Sequence, residues 1–437
     1  MKSDHGLHGK NGFVFWIRQP RVTTKYTKCT KGRVRWLNAP KAEEPDSILL
    51  PAGTGKIGDR QGRKKSPDEM EKWRYILLDF AGRAPVVRRG AGRAMVVFSP
   101  GHLGDVLHVV PMLKALRSAK PKIKIIWLVG PWSEALARRY DEISAEIRVF
   151  GPNLPNFTRK NPNFRQNAWF QWKFALELRK IGVETLIGPL DGVGRFLANA
   201  ICPKLWIGMG DRRPPRVLRE IQTIAQPYEK DRYEADAWCG LLKPLGIEET
   251  ADRLEYEVKP GENAAAEAYL RAEGVDLGCP LVLIAPGSGW SGKNWLPERF
   301  AEVAEWLKAE KGVQIAWVGA PGEENLVPEA QKGDLNWVGR TTIPLLAAIM
   351  AKSQLFIGND AGLLHFAAAV GLPTVSIWGP TSPGKWGPKG PIHRQIRKVE
   401  RCEGCIYWDY REKCRHDHAC MKAVTVEDVK LQIIQLF

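Results

Sequence analysis

The chain has 437 residues, a length typical of two or three domains with ample core, and a formal net charge of +17. It has no apolar run of about 18 residues, which excludes a transmembrane helix. Its N-terminus, MKSDHGLHGKNGFVFWIRQP, lacks the cleavage site of a secretion signal, so we expect a cytoplasmic protein.

Most of the positive charge lies in residues 1–93, which hold 21 Lys and Arg against 9 Asp and Glu. A basic balance of this kind favours contact with nucleic acid or with an anionic membrane surface. The segment also lacks the hydrophobic periodicity needed to bury a core. Three interpretations are open: a disordered extension, a start codon assigned too early, and a basic arm that contacts RNA or membrane.

From residue 93 to residue 208 the pattern alternates between apolar runs and helical periodicity. The predicted strands are Arg93–Phe98, Lys124–Val129, Ile147–Phe150, Thr185–Ile187 and Leu205–Gly208. The predicted helices begin at Val106, Glu134, Gln171 and Arg195. Alternation of this kind is typical of a doubly wound α/β domain.

The same alternation resumes after a polar, basic segment at 211–235, a helix at Ala237–Leu245 and a charged linker at 248–262. The predicted strands are Leu281–Ala285, Gln314–Val318, Asn336–Gly339, Leu355–Ile357 and Thr374–Trp378, and the predicted helices are one from Pro297, Ile343–Ala351 and Ala361–Val370. The sequence thus predicts two α/β domains, 94–255 and 279–390, facing across a cleft. A Cys-rich tail and a C-terminal helix follow at 391–437.

Asp105 follows the first strand and precedes an apolar-periodic helix. An Asp in that place is most often a helix N-cap. It also lies at the edge of the sheet where ligands bind in open α/β folds, which is where a general base must stand.

The loop Gly287–Asn294 follows a strand and nearly matches the P-loop pattern G-x-x-x-x-G-K-[ST]. Asn294 replaces the hydroxyl residue that Mg²⁺ chemistry requires, and Trp295 to Pro297 delay the following helix. Two interpretations remain. The loop offers Ser288, backbone amides and Lys293 to a phosphate, or Lys293 is an ordinary surface lysine.

Asp360, Gly362 and His365 cluster at the start of a predicted helix. Backbone N–H groups at a helix start favour an anion, and Gly362 allows close approach. His365 is equally compatible with a core histidine.

The tail contains four cysteines within a short stretch, with His416 and His418 between the last two. The cysteines are Cys402, Cys405, Cys414 and Cys420. In a cytoplasmic protein such a group favours a structural Zn²⁺ or Fe–S site over disulfides.

From about Ala94 to its C-terminus the chain resembles family 9 glycosyltransferases, the ADP-heptose:lipopolysaccharide heptosyltransferases. Four segments carry the resemblance: GHLGDVLHVVPMLKAL (101–116), APGSGWSGKNWLPERF (285–300), VGAPGEE (318–324) and IGNDAGLLHFAAAVGLPTVSIWGPTSP (357–383). The resemblance implies a GT-B fold, in which two Rossmann-like domains face each other across a cleft. It also implies an inverting sugar transfer that requires no metal or other cofactor.

Carried over position by position, the resemblance implies that Asp105 is the general base. It implies that the donor is held by Ser288, Lys293, Glu323, Asp360, Ala361, Gly362 and His365. Among these, Lys293 resembles the lysine on the donor diphosphate, and Glu323 resembles the ribose-binding carboxylate, with Glu324 adjacent to it.

Three features depart from the family pattern. Residues 1–93 have no family counterpart, which favours the misassigned start. Ala361 lacks the hydroxyl often found at its position, so one donor contact is missing or replaced by water. The Cys-rich tail resembles that of looser family members rather than of the core lipopolysaccharide enzymes.

The first functional hypothesis is a transferase that moves a heptose-type sugar from a nucleotide-diphosphate donor, with ADP-heptose favoured, to a lipopolysaccharide-core or related glycolipid at the inner membrane surface. Arg212, Arg213 and the basic patch near Lys385 suit an anionic acceptor. One alternative is a sugar-nucleotide epimerase on the same fold. A basic nucleic-acid-binding protein is the other, and nucleic acid is the less favoured partner.

Overall fold

The structure is a computed structural model that describes residues 92–150, 164–210, 221–227, 229, 231–331, 333–398, 414 and 416–437. All of them belong to one compact unit of the chain. The predicted leader, apart from its last two residues, lies outside the described residues, as do Arg212 and Arg213.

Six parallel strands form the first sheet, in the order β3-β2-β1-β4-β5-β6. They are β1 (Ala94–Ser99), β2 (Lys124–Val129), β3 (Glu146–Val149), β4 (Val183–Ile187), β5 (Leu205–Met209) and β6 (Gln222–Gln226). Every residue of β1 is buried, because helices cover both faces of a parallel sheet. The helices of this half are α1 (Leu103–Ala119), α2 (Glu134–Ala137), α3 (Phe164–Ile181), α4 (Gly192–Ile201) and α5 (Glu234–Gly240).

The second sheet repeats the topology of the first, with its six parallel strands in the order β12-β11-β10-β7-β8-β9. They are β7 (Leu281–Ala285), β8 (Gln314–Trp317), β9 (Leu335–Asn336), β10 (Leu355–Asn359), β11 (Thr374–Ile377) and β12 (His393–Ile396). The helices of this half are α6 (Pro260–Ala272), α7 (Pro297–Lys311), α8 (Ile343–Met350), α9 (Gly362–Ala369), α10 (Pro383–Trp386), α11 (Ala419–Lys422) and α12 (Val426–Ile434).

The strand order 3-2-1-4-5-6 in both sheets is that of a Rossmann fold, so the structure confirms the predicted pair of doubly wound sheets. Ligands in such sheets bind where the strand order reverses, beyond the carboxyl ends of the two central strands. Those strands are β1 and β4 in the first half, and β7 and β10 in the second. Helix α1 contacts α9, which brings the two reversal points together.

The sequence predicts a linker at 248–262, but the structure begins helix α6 there, at Pro260. Pro at the first helical position and Glu262 two residues later are good helix-start signals. The helix buries only Ala266 and Leu270, so its apolar stripe is too thin for a periodicity signal. It packs against α8 of the second half.

Two edge strands, β6 and β12, are absent from the sequence prediction. β6 (QTIAQ) has no buried residue, and β12 (HRQI) buries only Ile396. An edge strand pairs on one side and needs little apolar character, so pairing with β5 and β11 forms these elements rather than their composition. The predicted strand Asn336–Gly339 is also shorter, because the chain turns after Asn336.

Helix α12 packs on α7, β11 and β12 through Val426, Val429 and Ile433. Thr425 caps its start by accepting a hydrogen bond from the N–H of Asp428 at 3.2 Å. No helix within the described ranges has the length and apolar character needed to cross a membrane.

Candidate active site

Asp105 is the third residue of α1, so its interpretation as the N-cap is wrong. The N-cap is His102, whose backbone N–H donates to Asp105 Oδ2 at 2.7 Å. This is the reach-back half of a capping box, and it fixes the orientation of the carboxylate. In the part of the chain that the structure describes, Asp105 Oδ1 receives no hydrogen bond, which leaves one oxygen available for a substrate proton.

The loop before Asp105 is fastened to the segment after β2. Trp132 Nε1 donates to the carbonyl oxygen of Gly101 at 2.8 Å, and Ser133 Oγ donates to the same oxygen at 3.1 Å. A Cβ atom on Gly101 would lie 2.4 Å from Asp105 Cβ and 2.6 Å from its Oδ2. Gly101 therefore provides the space that the carboxylate occupies.

Gly101→Ala is expected to displace Asp105 and lower kcat by about 10- to 100-fold, since small shifts of a reacting group are costly. The Kd for a nucleotide should be unchanged, because the loops that the family resemblance predicts to hold it belong to the other half. Steady-state kinetics and calorimetry measure the two quantities. Gly261→Ala is the matched control, because its Cβ would meet nothing within 4 Å. Equal loss of activity in both variants would contradict the steric argument.

Burial raises the pKa of Asp105 above its ordinary value, and the nearby Glu234 carboxylate adds to the effect. The His102 N–H bond and the ring of His108 lower the same pKa, but burial dominates. A carboxylate with a raised pKa is a stronger proton acceptor. The site therefore favours the chemistry of a general base at this position.

The loop after β7 is not a P-loop. Residues Ser291–Lys293 form a short 3₁₀ turn, Asn294 is extended, and the next helix begins only at Pro297. The hydroxyl of Ser288 lies within hydrogen-bond distance of the carbonyl oxygen of Trp290, at 2.7 Å, and of Asn294 Oδ1. Ser288 thus holds the shape of its own loop.

Lys293 pairs with Asp360 across the point where β7 and β10 separate. Lys293 Nζ lies 3.1 Å from Asp360 Oδ2, and the two side chains are only 17% and 7% exposed. Lys293 is therefore not an ordinary surface lysine. The pair places a cation and a carboxylate together where the fold expects a ligand.

Asn359, the last residue of β10, joins the same two loops and has no distinctive signal in the sequence. It is buried, its Oδ1 accepts from the N–H of Trp295 at 3.0 Å, and its Nδ2 donates to the carbonyl oxygen of Pro286 at 2.8 Å. These two bonds set the spacing of the β7 and β10 loops.

The adjacent carboxylates Glu323 and Glu324 have different surroundings. Glu323 Oε2 accepts from the N–H of Ala320 at 2.9 Å, and a Cβ on Gly287 would lie 2.2 Å from its carboxyl carbon. Glu324 instead accepts from the N–H of Gly322 at 3.1 Å. Glu323 is thus the carboxylate that lies against the β7 loop.

Helix α9 starts with a backbone cap. Its N-cap is Ala361, which offers no side-chain acceptor, and Gly362 is exposed with open space where a Cβ would be. Four residues into the helix region, His365 is buried, and burial lowers its pKa to about 3. The imidazole is therefore neutral. The helix start is open to an anion, because Ala361 offers no side-chain cap and the space at Gly362 is empty.

His365 is also one of the residues through which the halves contact each other. A Cβ on Gly104 would lie 2.6 Å from His365 Cδ2, and the rings of His365 and His108 are 4.8 Å apart. Gly104 precedes Asp105 directly. The residue before Asp105 thus contacts the cluster of Lys293, Asp360 and His365 in the other half.

Sequence reasoning does not identify His108 and Glu234, two further buried polar residues near Asp105, and it assigns the buried Lys385 to a basic patch. Lys385 Nζ lies 3.2 Å from Glu234 Oε2, and the lysine is 4% exposed. The expectation that Lys385 contributes to a basic surface for an anionic acceptor is therefore wrong. No sequence pattern links it to its partner in the other half.

The predicted tail cluster is only partly described. Cys402 and Cys405 lie outside the described residues, Cys414 is half-buried, and Cys420 is buried beside Gly379. Within the described ranges, no group of three or more His, Cys, Asp or Glu side chains could hold a metal ion. The tail metal site stays a prediction.

Comparison with known proteins identifies relatives for both halves. The family model for glycosyltransferase family 9 (heptosyltransferase) matches residues 203–416. Lipopolysaccharide heptosyltransferase 2 of Salmonella typhimurium is 32% identical over 328 residues, which cover 70% of this chain and 88% of that protein.

Two solved structures share the fold. One is a family 9 glycosyltransferase from Veillonella parvula, with a TM-score of 0.61, 22% identity, and coverage of 79% of this chain and 97% of that one. The other is the E. coli ADP-heptose lipopolysaccharide heptosyltransferase II, with a TM-score of 0.59, 18% identity, and coverage of 78% and 98%. The predicted fold class is confirmed by these likenesses.

Proposed function

The chain belongs to glycosyltransferase family 9, and on that premise we propose that it transfers a heptose from a nucleotide-diphosphate donor to a lipopolysaccharide-core or related glycolipid. Heptose and lipopolysaccharide are taken from the name of the Salmonella relative. ADP is favoured as the nucleotide because the E. coli structure that shares the fold is that of an ADP-heptose enzyme.

The single observation that carries the proposal is the contact of Gly104 with His365. Gly104 precedes Asp105, which has one open carboxylate oxygen, and His365 Nε2 lies 4.0 Å from Oδ1 of Asp360, the partner of Lys293. This chain of contacts supports the proposal that a proton acceptor and a cation act on one bound sugar nucleotide from the two halves.

In the proposed mechanism, Asp105 Oδ1 takes the proton of an acceptor hydroxyl as its oxygen attacks the anomeric carbon. The bond from that carbon to the diphosphate oxygen breaks on the opposite face, so the configuration inverts. Lys293 and the N–H groups at the start of α9 stabilise the negative charge that develops on the departing diphosphate. This charge stabilisation supports a reaction without a metal ion.

The remaining donor contacts follow from position. Glu323, lying against Gly287, is proposed to accept hydrogen bonds from the ribose hydroxyls. Ser288 shapes the phosphate loop, and Ala361 contributes backbone rather than a hydroxyl. Because the proposed acceptor is lipid-anchored, we place the enzyme in the cytoplasm at the inner membrane surface.

The test is a calorimetric titration of the full chain with ADP, GDP and UDP in EDTA, repeated with Mg²⁺. We expect ADP to bind most tightly, with the same affinity in both buffers. Preference for GDP or UDP would move the donor to another sugar nucleotide. Absence of binding to all three would overturn the proposal. The epimerase is tested separately by incubating the protein with ADP-heptose and no acceptor. Conversion of the donor in that experiment would indicate an epimerase.

A further inference from the structure

A loop of the second half crosses to the first half and docks on α5. This docking loop, residues 379–390, follows β11 and includes α10. Ser382 Oγ donates to Asp231 Oδ1 at 2.8 Å, and Lys385 pairs with Glu234, the first residue of α5. Lys389 pairs with Asp236, also on α5.

The two lysine pairs differ in burial. The side chains of Lys385 and Glu234 are 5% and 12% exposed, whereas those of Lys389 and Asp236 are 39% and 19% exposed. Glu234 Oε1 also accepts from Trp238 Nε1 at 3.1 Å. A buried ion pair contributes little net stability compared with apolar packing, but removal of one partner leaves an uncompensated charge.

The buried pair lies beside the helix that carries Asp105. Helix α5 packs against α1, and His108, one turn after Asp105, contacts the rings of Tyr233 at 5.5 Å and Trp386 at 5.6 Å. These two aromatic residues are the chain neighbours of Glu234 and Lys385. The pair is thus connected to the base-bearing helix by direct packing.

We propose that Glu234 and Lys385 are positioning residues for the transfer. While the docking loop is seated, Lys385 compensates the negative charge that Glu234 places beside Asp105. The inference rests on the proposed role of Asp105 as the base. The pair acts through Asp105 and contacts neither sugar nor nucleotide.

Several charged and titratable groups surround Asp105. On its own helix it faces His102 and His108, and from α5 it faces Glu234. Asp360 and Lys293 of the second half act on the His108 and His365 rings that pack beside it. Glu234 raises the pKa of Asp105, and Lys385 is the cation that pairs with Glu234.

The two partners therefore have opposite effects on the pH profile. Lys385→Met removes the cation and should move the acid limb of kcat upward by about one pH unit, since a nearby like charge disfavours ionisation. Glu234→Gln removes the carboxylate and leaves the cation, so the limb should move downward by a similar amount. The double variant should return close to the wild-type limb.

The experiment follows ADP release from ADP-heptose with heptose-free lipopolysaccharide as acceptor, from pH 4.5 to 9. Lys389→Met is the matched control, since it breaks an exposed pair between the same loop and the same helix. It should leave the limb in place. Lys385→Arg keeps the positive charge, so its acid limb should coincide with that of the wild type. The Kd for ADP should stay constant in all variants.

Shifts in the same direction for Lys385→Met and Glu234→Gln, or no shift in either, would overturn the inference and make the pair purely structural. If Lys385→Met does not fold, the other two variants decide. A downward shift in Glu234→Gln with an unmoved limb in Lys385→Arg supports the inference, and an unmoved limb in Glu234→Gln overturns it. Absence of ADP release by the wild-type enzyme would count against the proposed function itself, whereas full activity of Asp105→Asn would overturn the role of Asp105 as the base. An inactive Asp105→Asn with unmoved limbs in the pair variants would overturn this inference alone.

Discussion

Asp105→Asn is expected to lower kcat about 1,000-fold, the usual contribution of a general base, while the Kd for ADP stays within about twofold of wild type. The amide keeps the shape of the carboxylate but cannot accept the proton of the acceptor hydroxyl. Donor affinity should persist, because the residues proposed to hold the donor lie in the second half. Single-turnover kinetics and calorimetry measure the two quantities.

The matched control is Asp428→Asn, which changes the same third helical position in a helix far from the site. Asp428 Oδ2 accepts from the N–H of Thr425 at 2.9 Å, as Asp105 Oδ2 does from His102. This variant should lose some stability and no activity. Equal loss of turnover and ADP affinity in Asp105→Asn would show that Asp105 is structural.

The pH dependence of the wild-type enzyme follows from the same residue. Burial raises the pKa of Asp105, and a base is active only when ionised. Activity should therefore be complete above this raised pKa and fall as pH decreases through it. The midpoint should lie above the ordinary Asp value of about 3.9.

Lys293→Gln is expected to lower kcat/KM about 100-fold, because it removes the cation proposed to stabilise the departing diphosphate. It also leaves the buried Asp360 carboxylate without its partner, so repulsion of the diphosphate should weaken ADP binding. Calorimetry with ADP and steady-state kinetics measure both effects. The double variant with Asp360→Asn should recover part of the ADP affinity but not the turnover.

Lys308→Gln is the control for Lys293→Gln. Lys308 lies near the end of helix α7 in the same half, and its Nζ pairs with Asp334 Oδ1 at 2.9 Å. Its loss should affect stability alone. Unchanged ADP affinity in Lys293→Gln would remove the lysine from the donor site.

The central strands of both sheets are predictable from sequence because they are buried on both faces. β1, β7 and β10 are continuous apolar runs whose carboxyl ends carry polar loops. The edge strands β6 and β12 are not predictable in this way, because their partners stabilise them. Helix α6 is not predictable either, because five of its 13 residues are alanines and its only large apolar residues are Tyr269 and Leu270.

The residues of the candidate site also differ in how far local sequence predicts them. Asp105, Lys293 and Asp360 can be singled out from the sequence because each follows the end of a central strand within a few residues. Glu234 and Lys385 are not, because their pairing depends on the docking of two segments that are far apart in the chain. Local sequence patterns do not indicate a contact between segments so far apart in the chain.

The contact between Gly104 and His365 limits how the halves of such enzymes can be exchanged. Any side chain at 104 would need the space that the imidazole fills. A hybrid could join the first half of this chain to the second half of a relative. It would retain the contact at position 104 only if the incoming half supplied a ring of the same size in the same place. Recombination should therefore treat positions 104 and 365 as one inherited unit, although they belong to different halves.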